Sequence, residues 1–146
     1  MNDELLKHRR DHGAQQVSEG QRLGTLPDVF GGTVNGLIVE QAVFNVAGQI
    51  VDGYRGGYWE FVRLRDGGFY MHLDTEQKYR IRCEGNGYDG EVSGDALGII
   101  VCMFAYSNLS FEATGAFQER LSNLYYSLRG YMQHHPEVQE ILGAID

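Results

Sequence analysis

Hydrophobic residues change their period twice along this 146-residue chain. From Thr33 to about Val51, Val39, Val43, Val46 and Ile50 recur at helical spacing, with Val34, Leu37 and Ile38 extending the same apolar side. Thr33 is placed to cap the first turn of that helix. Ahead of it, Leu23, Leu26, Val29 and Phe30 gather about Pro27, predicting a short helix or turn packed on the core and stopped by Gly31-Gly32. Residues 1–22 are charged and Gln-rich without a clear period, so a flexible or partly helical arm is expected there.

The period then becomes two. Trp59 and Phe61 alternate with Tyr58, Val62 and Leu64, and after Asp66-Gly67-Gly68 the residues Phe69, Met71 and Leu73 alternate with Tyr70 and His72. Asp66-Gly67 predicts a tight type I′ hairpin turn. Tyr79, Ile81 and Cys83 alternate with Lys78, Arg80, Arg82 and Glu84, and Asn86-Gly87 marks a second hairpin returning through Tyr88–Val92. These runs predict a four-stranded antiparallel meander, with Trp59, Phe61, Phe69 and Met71 on its inner face and Tyr58, Tyr70, Arg80 and Arg82 exposed.

After the meander the pattern is helical again. Ser93 or Asp95 can cap a helix to about Asn108, and Leu97, Ile99, Ile100, Val101, Met103, Phe104 and Ala105 surround it, which marks a buried central helix. A one-sided stripe of Phe117, Leu121, Leu124, Tyr125, Leu128 and Met132 follows Thr114, and a short stripe of Val138, Ile141, Leu142 and Ile145 follows Pro136. The expected fold is α+β: N-terminal helices, the meander, and a C-terminal helical group packed on one sheet face, forming a single domain over residues 23–146.

Charge changes this picture little. The net charge is −8, and no Lys or Arg occurs between Arg82 and Arg120, while Arg55–Arg82 holds six cations against four acids. An excess of two positive charges is a weak basic patch, so DNA binding is expected to be weak or absent. Cys83 and Cys102 fall in a predicted strand and a predicted helix, and are read as free buried thiols. The polar stretch Met1–Gln16 and the lack of an 18-residue apolar run point to a cytoplasmic protein without membrane association.

Candidate chemistry is sparse. Gly85-Asn86-Gly87-Tyr88-Asp89-Gly90 has dinucleotide-fingerprint spacing, but it joins two antiparallel strands and so cannot aim a helix N-terminus at a pyrophosphate. His8 and His12 share a helical face but lack a third ligand, and His134-His135 have no metal-binding partner nearby in sequence. His72, Asp74 and Cys83 make a poor hydrolytic set, because alternation puts His72 and Cys83 on different faces. No catalytic, cofactor or metal residue is therefore assigned. The candidate interaction surface is Tyr54, Arg55, Tyr58, Tyr70, Arg80 and Arg82, residue types enriched at protein interfaces.

Three motifs carry a family resemblance: Tyr54-x-Gly56-Gly57-Tyr58-Trp59-x-Phe61, Gly67-Gly68-Phe69-Tyr70-Met71, and Asp95-Ala96-x-Gly98-Ile99. Over roughly Leu23 to Asp146 the chain resembles the ArdB/KlcA antirestriction proteins, departing at Asp66, where Asn is expected, and at His72-Leu73, where Ala-Pro is expected. The resemblance implies a small cytoplasmic protein of plasmids or other mobile elements. Its implied role is to relieve type I restriction of unmodified incoming DNA while sparing methylation, without catalysis and without mimicking DNA. The implied partner is the host type I restriction-modification complex or a host factor associated with it. The alternative reading is a weak nucleic-acid-binding accessory protein of a mobile element, using Arg63, Arg65, Arg80 and Arg82 beside exposed Tyr.

Overall fold

The computed structural model describes residues 1–146. Six helices and five strands follow one another: α1 (Asp3–Asp11), β1 (Ala14–Gln16), a 3-10 turn (Glu19–Gln21), α2 (Arg22–Phe30), α3 (Thr33–Ile50), β2 (Glu60–Leu64), β3 (Phe69–His72), β4 (Lys78–Cys83), β5 (Tyr88–Ser93), α4 (Gly94–Glu112), α5 (Gly115–Met132) and α6 (Val138–Ile145). The α+β class holds, and all four expected strands are present as antiparallel hairpins.

They do not form one meander. β1, β2 and β3 make one sheet, with Gln15 opposite Arg63 and Phe61 opposite Met71, while β4 and β5 pair separately. The cause is α4. Tyr106 donates its hydroxyl to the Phe69 carbonyl (2.6 Å), and Cys102 Sγ lies 3.5 Å from the Met71 amide. Side chains four apart on a buried helix thus occupy the β3 edge that β4 was expected to fill, a helix covering a strand edge. β4 instead forms an antiparallel bridge with Val51 at the end of α3.

Close approach of α4 depends on Gly94 and Gly98. A Cβ at Gly98 would collide with the Met71 carbonyl oxygen, and one at Gly94 with the Asp74 carbonyl. The third family-like motif therefore has a packing reason at its glycine. Ser93 caps α4, its hydroxyl accepting from the Ala96 amide (3.2 Å). By length and hydropathy α4 could cross a bilayer, but 67% of its apolar window is buried inside the protein. It is the core helix, packed by α3, α5, α6 and β3.

Local turn chemistry differs in two places. Neither Arg65 nor Asp66 has a positive φ, whereas Gly67 does (93°), so the first hairpin turn is not type I′. The Gly67 amide bonds the Leu64 carbonyl and the Leu64 amide bonds the Gly68 carbonyl, closing the loop. Thr33 is the first residue of α3 rather than its cap; Gly32 holds that position, and Asn35 donates to the Phe30 carbonyl at the preceding helix end. The N-terminal arm packs against the body through α1 and β1.

Candidate functional site

Two arrangements of side chains stand out, one on the surface and one inside. The surface one lies between α2 and α3. Val39, Val43 and Val46 point into the core as their spacing predicts, but Val34 (70% exposed), Leu37 (60%) and Ile38 (41%) do not, and Leu23 on α2 is 94% exposed. These four were expected to pack inward. The correction follows from one stripe being long enough: a single face of α3 meets α4, and residues 34, 37 and 38 fall on its other side.

Leu23 and Leu37 line a groove of about 470 Å³ with Leu26, Pro27 and Phe61. Arg22 stands at its edge, with its guanidinium 4.1 Å from the Phe61 ring centroid and 4.5 Å from that of Tyr58. Stacking orients Arg22 while its Nη1 remains buried without a hydrogen-bond partner. Tyr58 is exposed and its hydroxyl bonds Glu19, a contact that raises the phenol's proton affinity. The result is an apolar floor with Tyr58 and Arg22 at one rim and the carboxylates Glu19 and Glu40 in the lining; Tyr and Arg beside apolar surface concentrate binding energy at protein interfaces.

The remaining sequence candidates are dispersed. Arg55 is exposed in the α3–β2 connection, and Tyr54 is half-buried, accepting a hydrogen bond from Trp59 Nε1 (3.2 Å). Arg80 holds Asp89 through two bonds (3.1 and 3.0 Å), and Arg82 approaches the same carboxylate at 3.8 Å, so one acid partly offsets both cations. Tyr70 is not on the surface at all. It is fully buried, because both faces of β3 are covered, and its hydroxyl donates to Asp95 Oδ1 (2.7 Å). Burial first, and the Asp95 charge second, push the Tyr70 phenol well above its ordinary range.

Tyr70 leads to the interior arrangement. Asp95, completely buried on the first turn of α4, also receives Arg9 Nη2 (2.5 Å) from α1 and His135 Nε2 (2.8 Å) from the α5–α6 connection. The Glu137 amide donates to His135 Nδ1 (2.9 Å), which leaves the ring proton on Nε2 facing Asp95. Arg9 Nη2 lies 3.0 Å from His72 Nε2, whose Nδ1 faces the Leu73 carbonyl at 2.7 Å. His72 therefore carries its proton on Nδ1 and accepts from Arg9; burial lowers its proton affinity accordingly. Burial alone would raise Asp95, but the His135 bond and the Arg9 charge outweigh it and hold the carboxyl below the usual range.

Around this core stand the other histidines. The His8 ring lies 4.5 Å from Tyr131, 4.7 Å from His12 and 5.2 Å from His135, and His12 stacks on His134 at 5.1 Å. All five histidines of the chain thus meet where α1 packs on the body, although they are far apart in sequence. No three His, Cys, Asp or Glu side chains are arranged to hold a metal ion. Cys83 lies in the separate sheet of β4. This interior has the properties of a polar structural core: both oxygens of Asp95 are bonded and its carboxylate is fully buried, while Arg9 also lines a surface groove beside β1.

A family model described as "Antirestriction protein" matches residues 52–146. The chain belongs to the antirestriction protein family. It is 38% identical over 134 residues to the antirestriction protein KlcA of Escherichia coli, covering 91% of this chain and 94% of that protein. The uncharacterized protein YafX of E. coli K12 is 35% identical over 132 residues, covering 89% and 85%. A solved structure, from work on the novel fold of KlcA and ArdB and their antirestriction activity against Type I DNA restriction systems in vivo but not in vitro, matches with a TM-score of 0.84. Its identity is 39%, and the match covers 91% of this chain and 94% of that one.

Proposed function

We propose that this member of the antirestriction family relieves type I restriction of unmodified incoming DNA while leaving methylation intact. It acts without catalysis, by binding a protein component of the restriction complex or a host factor working with it. The observation that carries the reading is the exposed α2–α3 groove. Apolar side chains at Leu23, Leu26, Leu37 and Phe61, edged by Arg22 and Tyr58, suit a protein partner, and Val34 and Ile38 expose further apolar surface on α3. A single cation, Arg22, beside Glu19 and Glu40 makes this lining a poor match for a phosphate backbone. The activity described for KlcA and ArdB, present in vivo but not in vitro, fits an inhibitor whose partner or partner's state is supplied by the cell.

DNA mimicry is disfavoured because the 20 acidic residues are interspersed with 12 basic ones instead of forming a dense carboxylate array. The nucleic-acid-binding alternative is weakened by the pairing of Arg80 and Arg82 with Asp89 and of Arg63 with Asp28 (2.6 Å). Interference with DNA translocation, or with its coupling to cutting, would reduce cleavage while leaving methylation untouched. The test is plating of unmodified phage on a type I restricting host with and without the protein, scoring methylation of the survivors. Restored plating with normal methylation is expected. Equal loss of cleavage and methylation would reject the proposal in this form.

A further inference from the structure

We propose that α1 is a proton-released latch: its docked state requires an uncharged imidazole at His8, and acidification frees the helix while the rest of the fold stays intact. His8 is 5% exposed, and neither of its ring nitrogens has a hydrogen-bond partner. Buried polar groups are nearly always bonded, so an unpaired imidazole inside is a weak point in the docking surface. A neutral ring tolerates the site because it packs against the rings of Tyr131, His12 and His135. A charged one would meet other imidazoles at close range with no acceptor for either N–H.

The facing groups come from every element packed there. On α1 itself, Glu4, Lys7, Asp11 and His12 share the solvent-side pocket with His8 and His134. Lys7 and Asp11 pair with each other (2.8 Å). From the α5–α6 connection come His134 and His135, and from α5 comes Tyr131. α4 contributes Asp95, whose negative charge favours protonation of His8 but is already engaged by Arg9, Tyr70 and His135. β3 contributes His72, bound to Arg9 and itself favoured neutral.

The direction of the effect is set by linkage. Burial first, then the neighbouring His135 and His12, lower His8 from 6.5 to about 4 in the docked state. Released α1 exposes His8 to water, where it takes up a proton near its ordinary value. Docking is therefore at full strength above about pH 6.5 and weakens as pH falls toward 4, by about tenfold in the docking equilibrium per pH unit. His72 adds in the same direction, and Asp95 stays ionised throughout. Release also takes Arg9 from Asp95, which keeps its bonds to Tyr70 and His135, while α4 keeps its packing on α3, α5, α6 and β3.

The test is backbone amide NMR of the full chain titrated from pH 7.5 to 4, with His8→Phe and His8→Asn alongside. The expected result is loss of native shifts for Leu5–Asp11 between pH 6.5 and 4 while α4 and β3 shifts persist. The variant that keeps native shifts at pH 7.5 should release α1 at lower pH and less steeply, because only His72 then contributes. Two results would overturn the proposal: α1 amides that keep native shifts until the whole protein unfolds, or release at the same pH in a folded variant lacking His8.

Discussion

Asp95 is fully buried and carries a charge, a combination that normally destabilises a fold unless the charge is completely satisfied. Here Arg9, Tyr70 and His135 converge on its two oxygens from α1, β3 and the α5–α6 connection, joining three segments that no sequence proximity would bring together. Replacing Asp95 with Ala should leave Arg9 buried without its counter-ion and cost about 3–5 kcal/mol, measured by urea unfolding. A loss below about 1 kcal/mol would mean that water replaces the carboxylate without difficulty. Individual residues were the least legible part of this protein in its sequence. Tyr70 alternates correctly with Phe69 and Met71, yet alternation marks a solvent face only where one side of a strand is open. The partners that bury Tyr70 lie 25 and 61 positions downstream. The same limit hid the convergence of His8 and His12 with His134 and His135, which lie at opposite ends of the chain, and the link from His72 to α1 through Arg9.

Among the secondary-structure elements, α4 determines most of the architecture. Its glycines let it touch the β3 backbone, and Cys102 and Tyr106 occupy the strand edge that would otherwise extend the sheet. Burial pushes the Cys102 thiol up to about 12, so it remains a protonated packing group. Gly98→Ala should destabilise the protein by on the order of 1–3 kcal/mol, because the added methyl meets backbone that cannot move aside. Gly130→Ala, on an open face of α5 with nothing within 4 Å, should stabilise it by roughly 0.5–1 kcal/mol. Thermal unfolding of the pair checks both signs; equal effects would show that α4 does not depend on the close contact. The existence and order of these elements were legible, since periods of 3.6 and 2 are local properties of the chain. Their pairing was not: the edge of β3 is filled by residues 31 and 37 positions away, and no hairpin signal reports a helix in that place.

Across the whole molecule, the polar interior and the apolar groove have different roles. The Asp95 network fixes α1 against the body around a fully buried carboxylate. The groove instead exposes apolar surface that a protein of net charge −8 has no structural need to display. Helical periodicity could not reveal it, since Leu23 and Leu37 are as apolar as the residues facing the core. The most direct measurement is plating efficiency of unmodified phage on a type I restricting host expressing the native chain, Leu37→Glu, or Arg80→Ala/Arg82→Ala at matched soluble levels. The groove variant should fold normally, because Leu37 is largely exposed, yet lose at least tenfold in protection, while the double arginine variant protects as the native chain does. Full protection by Leu37→Glu together with loss in the arginine variant would contradict the protein-contact mechanism and move the activity to the basic strand.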